Sequence, residues 1–315
     1  GDRVSGAVSN SEERLIGKEF LKQIYFQAPL ITDPLIQEYT ELLVYRLSEY
    51  SEVSDRRFTV LLIDDDTLNA FAAPGGVIGV NGGLFLSADN EGQFASVISH
   101  ELAHLSQRHF ARNVLNNQDR NVASSLTIIS SIALALITNN PNAIAVGPAF
   151  LQTQNLRYSR LFEKEADRVG FANLVRAGYN PKSMGEMFEN MAALRRFYGD
   201  NIPEFLLTHP ISSTRVSDAF NAADQLGDIG GIRNSMNYRL IKGRLEADYE
   251  DLPINAIRIF ENKIANNENI ENTYGYSRAL ALNGRFDESL FQLNKLLEIY
   301  PKNLILNTTK VEVLR

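Results

Sequence analysis

Hydrophobic residues recur at helical spacing along most of the chain, and only short segments depart from that spacing. Asp33-Pro34 is typical of a helix start, and the leucines that follow it predict a helix to about residue 50. The aliphatic run 57–63 predicts a strand. Apolar residues at helical spacing predict further helices over 94–105 and 181–220. The pattern therefore predicts a mainly α fold with a small β-sheet.

The stretch Val122 to Thr138 is unusually apolar and carries no charge. Its 17 residues fall short of the ~20 that a membrane-spanning helix needs. We interpret it as a helical hairpin that faces a membrane interface or a partner, so a peripheral membrane contact is expected here. A hairpin buried inside the protein is the alternative.

The pattern becomes repetitive after Gln225, beyond a glycine-rich segment at 227–231 that is typical of a linker. Residues 279–303 resemble a tetratricopeptide repeat, and an offset of 33 residues places Ala256 under Ser289. The period of that repeat type is about 34 residues. Stacked repeats of this kind form a concave surface that binds other proteins.

These observations divide the chain into three parts. We expect a first domain at 1–226, a linker at 227–235 and an α-helical tetratricopeptide-repeat segment at 236–315. Because about three repeats are usually needed for a stable array, we expect the repeats to continue beyond this chain. A generic helical hairpin is the alternative to a repeat.

Composition narrows the possible functions. The 315 residues suffice for one or two domains, carry a net charge of −7 and include no cysteine. The dispersed basic residues argue against nucleic-acid binding, which needs a clustered cationic face. Without cysteine the chain has neither disulfides nor thiolate metal sites. No signal peptide is visible, and we expect Gly1 to follow a targeting segment that has been removed.

His100-Glu101-Leu102-Ala103-His104 is the most informative motif in the chain. Residues four apart share one face of a helix, so both imidazoles can reach one metal ion. Glu101 lies about a quarter-turn round the helix, where it can accept a proton from water at the metal without being a ligand. The motif indicates zinc chemistry, and a helix with two surface histidines is the alternative. His109, close behind the motif, is expected to be structural.

A catalytic zinc usually has three protein ligands and one position for water, so a third ligand is needed. The best candidates lie in 158–167, where Glu163 and Asp167 are four apart on a predicted helix and can face one point. Glu165 projects from another side and is expected to be a solvated charge. On the residues alone, a glutamate-rich helix face is more often solvated surface than a metal site.

The helix motif, together with Phe-Glu-x-x-Ala-Asp at 162–167, resembles the zinc metallopeptidases that include the CAAX prenyl protease and the HtpX heat-shock protease. The resemblance implies a zincin-like domain that binds one Zn²⁺ per chain. It implies that Glu163 is the third ligand beside His100 and His104. It also implies that Asp167 lies behind a ligand histidine and orients its ring.

Two further segments resemble the same family. Residues 69–84, rich in glycine and β-branched residues, predict a strand just before the metal helix whose backbone is closely approached, and the resemblance implies that it is an edge strand. In such peptidases an edge strand pairs with an extended substrate through main-chain hydrogen bonds. The residues expected to bind substrate are Gly76, Val77, Ile78, Gly79 and Val80. An ordinary hairpin is the alternative. The second segment is His209-Pro210 with Arg215 shortly after it, which in the family lies close to the active site.

His209 has three possible roles on sequence grounds. It can donate a hydrogen bond to the oxyanion of a tetrahedral intermediate, as Arg215 also can. It can instead occupy the open position of the zinc and hold the enzyme latent, because a zinc filled by protein ligands cannot present water. It can finally be a helix-capping residue before Pro210. The sequence leaves these three roles open.

A zinc metallopeptidase joined to tetratricopeptide repeats resembles the periplasmic quality-control peptidases of Gram-negative bacteria. The resemblance implies a periplasmic zinc endopeptidase that promotes assembly of outer-membrane β-barrel proteins and degrades misassembled ones. The repeats would contact the barrel-assembly machinery or its clients. The alternative is a non-hydrolytic chaperone or scaffold with a structural zinc. Two histidines and one carboxylate also suit ferrous iron, so the metal itself is a further open point.

Overall fold

The computed structural model describes residues 8–116, 160–198 and 203–315. The predicted hairpin at Val122 to Thr138 lies outside these residues. The described chain is mainly helical and contains one three-stranded sheet, as its hydrophobic spacing predicts. None of the described helices is both long enough and apolar enough to cross a membrane.

Two compact units divide the described residues. The first unit contains the described residues up to Arg233, except Asp33–Tyr39 and Asp89–Glu91. These two short segments and Asn234–Arg315 form the second unit. The boundaries drawn from the sequence at residues 226 and 236 stay a prediction. The helices and strands, numbered in chain order, are α1 (Asn10–Gln27), α2 (Pro34–Ser48), β1 (Thr59–Ile63), β2 (Ala70–Ala73), β3 (Val77–Asn81), α3 (Gly82–Ser87), α4 (Glu91–Ser106), α5 (His109–Asn116), α6 (Arg160–Arg176), α7 (Lys182–Tyr198), α8 (Glu204–Thr208), α9 (Ser213–Leu226), α10 (Met236–Asp248), α11 (Pro253–Asn266), α12 (Ile270–Leu282), α13 (Phe286–Ile299) and α14 (Leu304–Leu314).

The glycine-rich segment supplies the central strand of the sheet. β3 pairs in parallel with β1 and antiparallel with β2, in the order β1-β3-β2. The prediction that residues 76–80 form an edge strand is therefore wrong, because β3 hydrogen-bonds to a neighbouring strand on each side. Among the described residues, the strand with an open edge is β2, since residues 29–31 hydrogen-bond along the outer side of β1.

Packing explains the glycine that suggested an edge. A Cβ atom on Gly79 would lie 2.1 Å from the ring of Phe71, so β3 needs glycine where that ring covers it. Val77, Ile78 and Val80 are buried. A strand whose residues are buried on both faces is typical of the middle of a sheet rather than of its edge.

The metal helix α4 lies in the core of the first unit. Phe94, Ile98 and Leu102 are fully buried on it. Gly170 lets α6 approach α4 closely, because a Cβ there would lie 3.0 Å from the carbonyl oxygen of Ser99 and 3.1 Å from the backbone of His100. This close approach brings the first turn of α6 beside the histidines of α4.

The second unit contains the five helices α10 to α14, each packed on its neighbours. Its core includes Ala247, Ile257, Phe260 and Leu280. A Cβ on Gly275 of α12 would lie 2.2 Å from the Phe260 ring, so a small residue is needed where α11 crosses α12.

A buried arginine ties distant parts of this unit together. Arg244 Nε lies 2.6 Å from Asp33 Oδ2, and its Nη2 lies 2.8 Å from Glu312 Oε2. Its Nη1 donates to the hydroxyl groups of Tyr274 at 3.2 Å and Thr309 at 3.3 Å. We call these five residues the Arg244 cluster. Charged and hydroxyl partners together satisfy a guanidinium that is almost wholly removed from water.

Candidate metal centre

Four buried side chains meet in the first unit. His100 and His104 lie on α4, Glu163 lies in the first turn of α6, and His209 ends α8. Each is at most 3% exposed, and one ligand atom from each lies within 4.8 Å of the others. The structure therefore brings together the three ligands predicted from the sequence and the remaining histidine in question.

The distances between these atoms fit a metal ion. Nε2 of His104 lies 3.0 Å from Nε2 of His100, which lies 3.4 Å from Nδ1 of His209. Oε1 of Glu163 lies 3.0 Å from Nδ1 of His209 and 3.4 Å from Nε2 of His104. Ligand atoms about 2.0–2.1 Å from a tetrahedral zinc are separated by about 3.3 Å. Imidazole and carboxylate donors at this spacing suit zinc or a similar divalent cation.

Glu101 lies beside the four donors without being one of them. It is 1% exposed, and its Oε1 has no hydrogen-bond partner among the described residues. Nε2 of His209 lies 3.7 Å from that oxygen. Burial raises the pKa of Glu101 above its ordinary value because the carboxylate loses its hydration, and a main-chain hydrogen bond from Ala72 of β2 acts in the opposite direction. A carboxylate in this setting is suited to take up a proton.

The far side of His100 is held by an ion pair. Nδ1 of His100 lies 3.0 Å from Oδ1 of Asp167. Arg215 binds both oxygens of Asp167 at 2.7 Å, and its Nη1 lies 2.9 Å from Oε2 of Glu163. Burial raises the pKa of Asp167, but hydrogen bonds from His100 and Arg215 outweigh it and hold that pKa below its ordinary value. Asp167 is thus an ionised acceptor.

Arg215 is committed to these partners. Ser212 caps α9 by accepting a hydrogen bond from the Arg215 backbone at 3.3 Å. The guanidinium also donates to the Pro210 carbonyl at 3.0 Å and stacks over the Phe188 ring. It therefore holds Asp167 and Glu163 in place, which differs from the oxyanion-donor role considered on sequence grounds.

The far side of His104 meets another histidine. Nδ1 of His104 lies 2.8 Å from Nδ1 of His109, whose Nε2 lies 3.2 Å from Oε2 of Glu165. Arg112 donates to the same carboxylate oxygen at 2.7 Å, and the His109 ring stacks on Phe162. The prediction that Glu165 is a solvated charge is wrong, because it is half-buried and paired. Burial lowers the pKa of His109 to about 4, although the hydrogen bond to Glu165 raises it.

The sequence contains only a weak signal for this contact. Three of the four histidines fall within ten residues, which was the one hint that His109 belongs to the site. Arg108 has a φ of 51°, in the left-handed region, and this turn separates α4 from α5. The turn carries His109 back beneath His104, a course that helical spacing does not predict.

Two histidines four apart on a buried helix, a glutamate from a second helix and a buried glutamate beside them define a metallopeptidase. Residues 34–223 match the model of Peptidase family M48. The chain belongs to this family.

Named relatives agree with this assignment. The chain is 33% identical over 257 residues to the putative beta-barrel assembly-enhancing protease of Vibrio cholerae, covering 80% of this chain and 52% of the relative. It is 34% identical over 247 residues to the beta-barrel assembly-enhancing protease of Escherichia coli O157:H7, covering 78% and 50%. It is 31% identical over 156 residues to the mitochondrial metalloendopeptidase OMA1 of Arabidopsis thaliana, covering 50% and 30%. The chain thus spans about half the length of the first two relatives.

Proposed function

We propose that this chain is a zinc-dependent endopeptidase that uses His100, His104 and Glu163 as metal ligands and Glu101 as general base. The observation that carries the proposal is the buried convergence of these ligands at metal-ligand spacing, with the Glu101 carboxylate beside them. Bound zinc supplies a Lewis acid and lowers the pKa of water towards ~7.

The roles of the other residues follow from their contacts. Glu101 takes the proton from the attacking water and later delivers it to the leaving amine. Asp167 lies 3.0 Å from Nδ1 of His100, a position that favours the proton on Nδ1 and leaves Nε2 to bind metal. Arg215 balances the charges of Asp167 and Glu163 and fixes both carboxylates. These residues hold the geometry that Glu101 needs.

The position of His209 supports the hypothesis that this geometry is a latent form of the enzyme. Its Nδ1 is near two of the donor atoms, whereas its Nε2 points toward Glu101. Four protein donors leave a zinc no position for water. His209 also ends α8 as its C-cap residue and stacks on Phe205, so its position depends on this short helix. On this proposal the segment after α8 must move away before cleavage, after which His209 is available as an oxyanion donor.

Polypeptides are the proposed substrates, bound along β2. An extended peptide can pair with the outer edge of that strand whatever its sequence, because the hydrogen bonds are made by the main chain. The Ala72 backbone of β2 lies within hydrogen-bonding range of Glu101, so a peptide on this edge would pass the general base. This replaces residues 76–80 as the substrate-binding strand.

The spacing of the helices in the second unit supports the prediction of tetratricopeptide repeats. α10, α12 and α14 begin 34 residues apart, and α11 and α13 begin 33 apart. The period of that repeat is about 34 residues. We propose that these helices bind protein partners, namely the barrel-assembly machinery or its clients.

The names of the relatives suggest the cellular role. Two are called beta-barrel assembly-enhancing proteases. We propose that this protein acts in the periplasm on outer-membrane β-barrel proteins, promoting their assembly and degrading those that misassemble. A non-hydrolytic chaperone or scaffold with a structural zinc is the second candidate, favoured by the fourth protein donor, since structural zinc sites are closed.

Metal content and casein cleavage, measured together, test the proposal. We expect stoichiometric zinc in the wild type, in Glu101→Gln and in the exposed control Glu189→Gln. Cleavage should fall by about 10²- to 10⁴-fold in Glu101→Gln only. Full cleavage by Glu101→Gln would contradict the role of Glu101 as general base. Iron in place of zinc would contradict the assignment of the metal.

Zinc without cleavage in any of the three proteins would leave the latent enzyme and the scaffold to be separated. His209→Ala then decides between them. A gain of cleavage in this variant identifies a latent enzyme, whereas a continued absence of cleavage counts against latency and favours the scaffold.

A further inference from the structure

We propose that His109 and Glu165 form a relay that holds the His104 ring in its metal-binding tautomer and orientation. Both are positioning residues, which act on the metal through His104. The inference rests on the proposed function, because it assigns the support of one of the proposed ligands. The chain of contacts runs from His104 Nδ1 to His109 Nδ1 at 2.8 Å, and from His109 Nε2 to Glu165 Oε2 at 3.2 Å.

The protons along this chain have only one consistent arrangement. A neutral His104 that binds metal through Nε2 must carry its proton on Nδ1. His104 Nδ1 is therefore the donor and His109 Nδ1 the acceptor, since two protonated nitrogens would repel at this distance. His109 then carries its own proton on Nε2, the atom that faces Glu165. Each contact fixes the tautomer of the preceding ring.

The relay is anchored on its outer side. Arg112 donates to the Glu165 oxygen that faces His109, at 2.7 Å. The Arg112 guanidinium also lies over the Phe162 ring. The His109 ring stacks on the same Phe162 ring, with 13° between the two ring planes. The side chain of His109 is fully buried. The ring is therefore held on its face by Phe162 and at its edge by two polar partners.

The two ligands of α4 are supported in different ways. Nδ1 of His100 lies 3.0 Å from a carboxylate oxygen of Asp167, whereas Nδ1 of His104 faces an imidazole, with the carboxylate one ring further away. An adjacent carboxylate raises the basicity of a ligand histidine more than a neutral ring does. The relay thus contributes mainly orientation, and its loss should loosen the metal without abolishing binding.

Zinc release separates this role from simple packing. His109→Leu fills a similar volume but cannot accept a hydrogen bond, whereas His109→Gln can accept from His104 through Oε1 and donate to Glu165. We expect zinc transfer to a chromophoric chelator to be about 10- to 100-fold faster from His109→Leu, with His109→Gln close to the wild type. In His109→Leu kcat should fall with KM unchanged, because on this proposal His109 acts through His104 and not on the substrate.

Glu165→Leu provides a second variant, at a half-buried position where folding is less at risk than at His109. It should release zinc faster than the wild type, while the exposed control Glu189→Leu should not. Melting temperatures of the zinc-free proteins show whether each variant is folded.

Each further outcome decides the proposal. Equal release from His109→Leu and the wild type would overturn the relay, as would a His109→Gln variant as fast as His109→Leu. A wild type that binds no zinc would overturn the relay and the proposed function together. Zinc binding without casein cleavage, even with His209→Ala, would overturn the proposed function alone, because zinc release from the variants still tests the relay.

Discussion

The metal centre and the Arg244 cluster are both buried groups of polar side chains, but they differ in what lies between their atoms. In the Arg244 cluster a guanidinium donates to two carboxylates and two hydroxyl groups. In the metal centre three imidazoles and one carboxylate turn nitrogen and oxygen atoms toward one another at 3.0–3.4 Å. The first group contains its own cation, whereas the second consists of potential ligands.

This difference indicates which buried cluster binds something. Buried acceptors that face one another repel unless a proton or a cation lies between them. The Arg244 cluster is internally balanced and therefore serves to hold the second unit together. In the metal centre Arg215 pairs with Glu163 from outside the group of four donors, but the donor atoms that face one another still need a cation or protons between them. A cluster of that kind is where chemistry is to be expected.

Removing a donor from the metal centre should have the largest effect. Glu163→Ala removes the one anionic ligand and also the carboxylate that pairs with Nη1 of Arg215. We expect loss of bound zinc and of casein cleavage, measured by metal analysis and by the protease assay. Retention of stoichiometric zinc would mean that the other three donors suffice, and the comparison would lose its basis.

Removing the cation from the Arg244 cluster should affect stability and leave the metal alone. Arg244→Met strands the carboxylates of Asp33 and Glu312, and breaking a buried ion pair in this way costs about 3–5 kcal/mol of unfolding free energy. Urea unfolding measures the loss, with zinc content expected to be unchanged. Arg278→Met is the matched control, since its pair with Asp248 is more exposed and should contribute only ~0–1 kcal/mol. Equal stability of the two variants would contradict the contrast.

The smallest effect is expected from acid on the zinc-free protein. His100 and Arg215 hold the pKa of Asp167 below the ordinary 3.8 despite burial, so its contribution to stability is fully present above about that pH. The contribution is lost as the pH falls through the lower pKa of the folded protein. The difference in unfolding free energy between the wild type and Asp167→Asn should therefore shrink from pH 6 to pH 3. A difference in unfolding free energy that stays constant from pH 6 to pH 3 would show that the charge of Asp167 does not contribute to stability.

Local patterns made most helices and part of the metal site predictable. The pair His100 and His104 is encoded by spacing on one helix, and Asp33 Oδ1 accepts from the backbone of Leu35 at 2.9 Å, as a helix cap predicted from sequence should. Glu163 required resemblance to a family, because no local rule connects α6 with α4. The physical link is Gly170, whose role depends on the helix it meets.

Long-range pairing was not predictable from the same patterns. Glycines in residues 76–80 suggested an exposed edge, whereas Gly79 makes room for the Phe71 ring within the sheet. Glu165 is predicted to be solvated because it projects from another side of the helix than Glu163 and Asp167. The left-handed turn at Arg108 that brings His109 toward it has no distinctive residue type. Strand order and turns of this kind are decided by tertiary contacts.

The donors of the metal centre come from three separate stretches of chain, namely α4, α6 and the residue that ends α8. An unfolded chain cannot hold them at these distances, so a metal ion that binds here binds the folded protein only. Such selective binding adds about 2.7 kcal/mol to the free energy of unfolding when free metal is ~100 times its Kd. On the proposed function, metal supply would therefore affect the lifetime of the protein as well as its chemistry, since scarcity would shift the metal-free protein toward unfolding and turnover.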